Sequence, residues 1–117
     1  MPSDIERAIA TRRAEELYAN LTRDDGFPCF VKSMLRSHVD RGFWLGLPIS
    51  FCREHLPTHD EKITLVDGSW KEFRTNYLVQ KLGLTKGWRQ FAMFHDLLDG
   101  DALVFQLIEP TKLKVIY

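Results

Sequence analysis

The order of apolar and polar positions divides the chain into two textures. Over residues 3–22, Ile5, Ile9, Leu17 and Leu21 form a broken apolar stripe among charged neighbours, the spacing of one face of an amphipathic helix. Ser3 with Glu6 three residues on makes a capping box at its start. Asp24-Asp25-Gly26-Phe27-Pro28 closes the segment, because Gly and Pro both disfavour continuing a helix. From Cys29 onward the apolar residues fall in short runs bounded by turn residues, which predicts strands over 29–32, 43–47, 62–67, 70–78, 102–108 and 112–117, with one more short strand over 82–84. Lys112-Leu113-Lys114-Val115 alternates as a strand with one wet face does. Asp67-Gly68 marks a hairpin, and Asp99-Gly100-Asp101 a turn into the next strand. Two short helices interrupt the strands: one opens at Pro48 and ends before Pro57, the other follows Thr85-Lys86-Gly87 and carries Trp88, Phe91 and Ala92. Many short strands with two helices of one or two turns predict a mainly β fold, a small barrel rather than a layered α/β arrangement.

Composition narrows the class. A chain of 117 residues with 44% apolar and 12% aromatic content supplies one core and too little for two, so residues 27–117 are expected to form one domain and residues 1–25 a helical extension of it. Charged residues at 27% and apolar runs of only a few residues argue against disorder and against a membrane span. Acids near the N-terminus, where a secretory signal carries a basic start, predict an intracellular protein. Cys29 and Cys52 are too few for a disulfide framework and sit beside Phe30 and Phe51 as small core residues do. The formal net charge of zero is unevenly spread: residues 1–25 hold four Arg against six acids, and residues 26–117 hold twelve Lys or Arg against ten acids. The β part is therefore mildly basic, and where its cations sit matters more than their sum.

Three stretches carry a resemblance: Phe30-Val31-Lys32; Gly42-Phe43-Trp44-Leu45-Gly46-Leu47-Pro48; and Leu84-Thr85-Lys86-Gly87-Trp88 followed by Asp99-Gly100-Asp101-Ala102-Leu103-Val104-Phe105. With His55-Leu56-Pro57 and Trp70 they follow, in order and spacing, the pattern of the plant B3 DNA-binding domain, over about residues 27–117. Ser37-His38-Val39 stands where many members have Ser-Asp-Val, Ile49 where many have Lys, and the chain looks most like the reproductive-meristem-type branch. The resemblance implies an open seven-stranded barrel with two short helices that docks two loops in the major groove of double-stranded DNA, as the DNA-binding domain of a nuclear transcription regulator. Carried over by position, the first loop runs over 32–42 and the second over about 76–81. The DNA-contacting residues implied are Lys32, Ser33, Arg36, Ser37, His38 and Arg41 in the first, and Arg74, Asn76, Gln80 and Lys81 in or near the second. These types suit the task, since Arg and Lys bind phosphate or the guanine edge and Asn and Gln pair with the adenine edge.

Other readings of the same residues compete. Cys52, His55 and His59, with Cys29 as a fourth, have metal-ligand character, but no paired C-x-x-C is present and a metal-free, cofactor-free protein is expected. His38 with Asp40, or Cys52 with His55, would be the base or nucleophile pairs of a nuclease or hydrolase; no motif supports them, and no enzyme activity is expected. Trp44, Trp70, Trp88, Phe91 and Phe105 are assigned to core packing rather than to a base-stacking platform. The main alternative function is a protein-interaction module on the same scaffold, in which the N-terminal helix meets a protein partner or a second copy.

Overall fold

A single sheet of seven strands curls into a half-barrel, with short helices in its connections and a long helix laid across its first strand. The computed structural model describes residues 3–24, 26–40 and 44–116. The predicted strand start at Phe43 and the strand end at Tyr117 lie outside the described residues. In chain order the elements are α1 (Asp4–Asp24), β1 (Cys29–Ser33), α2 (Arg36–Val39), β2 (Leu45–Gly46), α3 (Ile49–His55), β3 (Glu61–Val66), β4 (Glu72–Leu78), β5 (Gly83–Leu84), α4 (Trp88–Phe94), β6 (Ala102–Glu109) and β7 (Lys112–Ile116). The strands lie in the order β1-β6-β7-β3-β4-β5-β2. All neighbours are antiparallel except β3 and β7, which pair in parallel.

Alternation decides which side chains enter the half-barrel. Ile63 and Leu65 of β3, Thr75 and Tyr77 of β4, and Leu113 and Val115 of β7 are buried, while Lys62, Arg74, Asn76 and Lys114 alternate with them on the outer face. Phe30 stacks on Phe105 at 4.8 Å and meets Phe51 of α3 edge-on at 4.5 Å. Trp88 and Phe91 of α4 close the other side and are fully buried. Gly87 opens α4 at φ 99, and a Cβ there would collide with the Arg74 carbonyl, so α4 starts hard against β4.

Helix α1 begins as its sequence indicates, with the Glu6 N–H donating to Ser3 Oγ at 3.1 Å and the Ser3 N–H to Glu6 Oε1 at 3.5 Å. Its inner face keeps only the second half of the predicted stripe. Ala14 is buried, flanked by half-buried Ala10, Leu17 and Leu21, whereas Ile5 and Ile9 are 72% and 46% exposed. The small residues Ala10 and Ala14 let the helix lie close on β1 and β6, which turns Ile5 and Ile9 outward. Arg7 ties its first turns to the turn before β6 through a 2.8 Å ion pair with Asp99. The contiguous core contains none of the described α1 side chains. We expect a chain starting at residue 26 to unfold cooperatively in a thermal melt, at a lower temperature because the β1–β6 surface loses its cover; a non-cooperative melt would place α1 in the folding core.

The β3–β4 hairpin differs from the short Asp-Gly turn read in the sequence. Asp67 Oδ1 accepts from the N–H groups of Ser69 and Lys71 at 2.8 and 2.9 Å, organising a five-residue connection over 67–71. Trp70, predicted to begin a strand and to pack in the core, sits in this connection at φ 64 and is 62% exposed, its ring under the Lys114 ammonium at 4.4 Å. Trp88, Phe91 and Phe105 are core residues as expected, and Trp44 is half-buried.

Candidate nucleic-acid interface

The first connection, between β1 and β2, is anchored at its root by Met34. This residue is fully buried, donates its N–H to the Asp101 carbonyl at 2.6 Å and accepts from the Gly100 N–H at 2.9 Å. Beyond it the chain forms one turn of helix, α2, inside what the sequence reads as loop. Leu35 is not a capping residue type, and the turn is stabilised from the far side: His38 folds back so that its Nδ1 accepts the Leu35 N–H at 3.0 Å. The His38 carbonyl in turn accepts from Trp88 Nε1–H at 2.8 Å, which bolts this arm to α4. Arg36 and Ser37 are exposed, and Arg36 makes a 3.2 Å pair with Asp40. Lys32 and Ser33 end β1 at the foot of the arm, Lys32 half-buried and Ser33 exposed. Arg41 lies outside the described residues.

His38 therefore faces the interior, with 8% of its surface exposed. Burial holds its imidazole below the ordinary histidine value, and the Lys32 ammonium adds to the effect. The neutral ring is the form that accepts at Nδ1. Above the ordinary value of 6.5 the ring is neutral in both folded and unfolded chains, so nothing is lost. As pH falls from there through the lowered folded value, the unfolded chain takes up the proton first and stability falls. We expect melting temperatures to fall between pH 7.5 and 5.5, and His38→Gln to lose part of that dependence; an unchanged pH profile in the variant would show that another group carries it.

The second arm, residues 79–82 between β4 and β5, is pinned at three points. The Val79 N–H donates to Asp60 Oδ1 at 2.9 Å, the Lys81 N–H to the Leu78 carbonyl at 3.2 Å, and the Leu82 carbonyl accepts from the Leu47 N–H at 2.9 Å. Gln80 and Lys81 are exposed at its tip. The two arms share a root, because β2 and β5 pair through Leu45 and Leu84, and Trp44 lies so close over Gly83 that a Cβ there would come 2.5 Å from its ring. The Lys81 ammonium stands 5.6 Å from the Trp44 ring. Arg74 and Asn76 sit apart from the arm tips, on the outer face of β4.

Two cations that the sequence did not single out join them there. Register places Lys62 opposite Asn76, and Lys62 Nζ donates to Asn76 Oδ1 at 3.0 Å. The segment after β5 runs back along β4, the Asn76 N–H donating to the Lys86 carbonyl and the Thr85 N–H to the Asn76 carbonyl, both at 2.9 Å. The available sequence signal was the stretch from Phe73 to His95, which holds Arg74, Lys81, Lys86 and Arg89 and no acid.

The residues weighed as metal ligands or catalysts are dispersed. Cys52 is buried toward the core, and burial pushes its thiol up, away from a reactive thiolate. The His55 ring packs on Phe51 at 4.9 Å, and His59 lies 3.3 Å from Glu61. Cys29 Sγ–H donates to the Phe27 carbonyl at 3.2 Å. Among the described residues, no three His, Cys, Asp or Glu side chains are gathered to hold a metal ion. No helix among them is long and apolar enough to cross a membrane.

The structure is thus a curled seven-stranded half-barrel whose two arms rise from a shared root. The model of the B3 DNA binding domain matches residues 30–116, and the chain belongs to that family. It is 58% identical over 109 residues to a B3 domain-containing protein of Oryza sativa subsp. japonica, covering 93% of this chain and 45% of that protein. It is 51% identical over 113 residues to a B3 domain-containing protein of Arabidopsis thaliana, covering 97% of this chain and 40% of that one. The chain thus spans less than half the length of these curated plant relatives. With 97% of the chain aligned to the second, most of α1 lies inside the shared stretch although the family model begins after it. Among solved structures, a hypothetical Arabidopsis thaliana protein superposes with a TM-score of 0.64 at 26% identity, covering 80% of this chain and 91% of that one.

Proposed function

We propose that this chain is the sequence-directed, double-stranded DNA-binding domain of a plant nuclear transcription regulator, acting without cofactor and without catalysis. The observation that carries the reading is the common root of the two arms at Trp44, Gly83 and the β2–β5 pair, which presents Arg36 and Ser37 on one arm and Gln80 and Lys81 on the other from one rigid base. Lys32, Ser33, Arg41, Arg74 and Asn76 add phosphate and base-edge contacts, while His38 holds the first arm in shape. The sequence pattern taken as a whole is the ground for placing it in the reproductive-meristem-type branch of the family. Residues 1–25 act as an extension of a domain that spans 27–117.

Selection from a random pool of duplex oligonucleotides tests the reading. Enrichment of one short motif is expected, and binding should fall steeply with salt. With about four phosphates neutralised, log affinity against log salt has a slope near −3.6, roughly a hundredfold loss between 50 and 200 mM. No enrichment and no salt dependence would remove the DNA-docking model. A protein-interaction role has one observation in its favour, the exposed Ile5 and Ile9 one turn apart on α1. It predicts self-association or partner capture that an Ile5→Ser, Ile9→Ser chain loses, read by sedimentation equilibrium.

A further inference from the structure

The outer face of β3 and β4 holds a groove lined by Lys62, Arg74 and Lys86, with the amides of Asn76 and Gln90 between them. No acid lines it, and none of the three cations is ion-paired with a described residue. The acids nearest in sequence have other partners than these three side chains: Glu61 lies 3.3 Å from His59 and accepts the Lys62 backbone N–H at 2.9 Å, and Glu72 pairs with Lys112. Asn76 Oδ1 already accepts from Lys62, so what its amide adds to the groove is its nitrogen donor, beside the three cations. Its walls are held in place. Asn76 bonds both backbone groups to the 85–86 segment, and Gly87 lets that segment lie against β4 where a side chain would collide with the Arg74 carbonyl. Such a preset cluster of donors and positive charge is matched to a phosphate anion.

The groove lies on the strand that leads into the second arm. Arg74 and Asn76 share one face of β4, and the strand runs on to Leu78 at the foot of the second arm; the four residue steps of extended chain from Arg74 cover about 13 Å. A B-form strand presents one phosphate per 3.4 Å of axis, so that span corresponds to about four base pairs. We infer that this groove grips the sugar-phosphate backbone of the duplex outside the stretch entered by the arms, through Lys62 and Lys86, as a contact independent of base sequence. This deepens the DNA-binding reading above and rests on it.

The test compares two duplexes, the selected motif alone and the motif with about eight flanking base pairs on each side, bound by the full chain and by its Lys62→Gln, Lys86→Gln variant. Both substitutions fall on exposed residues, and a thermal melt confirms the fold. Trimming the flanks should weaken the parent chain about tenfold and the variant hardly at all, with the variant's salt slope shallower by about 1.8 and its selected motif unchanged. Equal losses for both chains on trimming, an unaltered variant slope, or a changed motif would overturn the inference. Arg36→Glu and Lys81→Glu, measured alongside, separate the two ideas. If they bind normally while the groove variant fails, the two-arm reading falls and the groove stands; the reverse sinks the groove alone. A parent chain that binds no duplex removes both.

Discussion

Replacing Trp88 with alanine is expected to cost about 3–5 kcal/mol, the usual range for truncating a large buried aromatic, out of a total of roughly 5–15 kcal/mol for a domain of this kind. Trp88 is fully buried, stacks on Phe91 at 5.6 Å and lies 6.5 Å from Phe105, so its removal opens the centre of the half-barrel. The indole N–H also leaves the His38 carbonyl without its donor, about 1 kcal/mol more. A fall in melting temperature of more than about 10 °C follows for a chain of this size. Trp88→Phe separates the two parts. It keeps most of the packing and lacks the N–H, so it should cost only about 1–2 kcal/mol yet weaken DNA binding at temperatures where the chain is folded, because the first arm loses its bolt to α4. Chemical denaturation and DNA titration of both variants decide the matter. If Trp88→Phe binds as the parent does, the bond to His38 has no part in presenting the arm.

The opposite signature is expected of Arg36→Glu and Lys81→Glu. Arg36 is exposed, and its i,i+4 pair with Asp40 contributes at most a few tenths of a kcal/mol after solvent screening. Lys81 gives up an exposed cation–π contact with Trp44 of similar size. Stability should stay within about 0.5 kcal/mol of the parent. DNA affinity should fall about tenfold to a hundredfold for each substitution, since each removes a cation from the duplex and adds a repelling charge. Folded variants with unchanged affinity would move the DNA surface away from both arms.

Much of the β architecture was legible because period-two alternation and turn residues are local signals. Strands β1, β3, β4, β6 and β7 fall where the apolar runs place them, and Pro48 and Gly87 mark the starts of α3 and α4. The failures share a cause. Trp70 reads as a core aromatic, and only the Asp67 side chain bonding across the hairpin turns it out to solvent. Helix α2 has no capping signal because its cap is the His38 ring, three residues ahead. The stripe of Ile5, Ile9, Leu17 and Leu21 reads as the inner face of α1, and the fit of Ala10 and Ala14 on the sheet leaves only Leu17 and Leu21 of it inward.

The site divides the same way. The residue types of the two arms, and the family pattern they belong to, are properties of the linear chain, since a loop carries its Arg, Lys and Gln at fixed positions between recognisable strands. What faces outward is not. His38 is withdrawn by its burial and by the bond its ring accepts from the Leu35 N–H, while Lys62, far from the arms in sequence, reaches Asn76 through the register of β3 on β4. The sequence alone determined the strands, the turns and the chemistry available. The tertiary structure decided which cations share a surface, because strand register and the anchoring of each arm depend on contacts between residues that no local pattern connects.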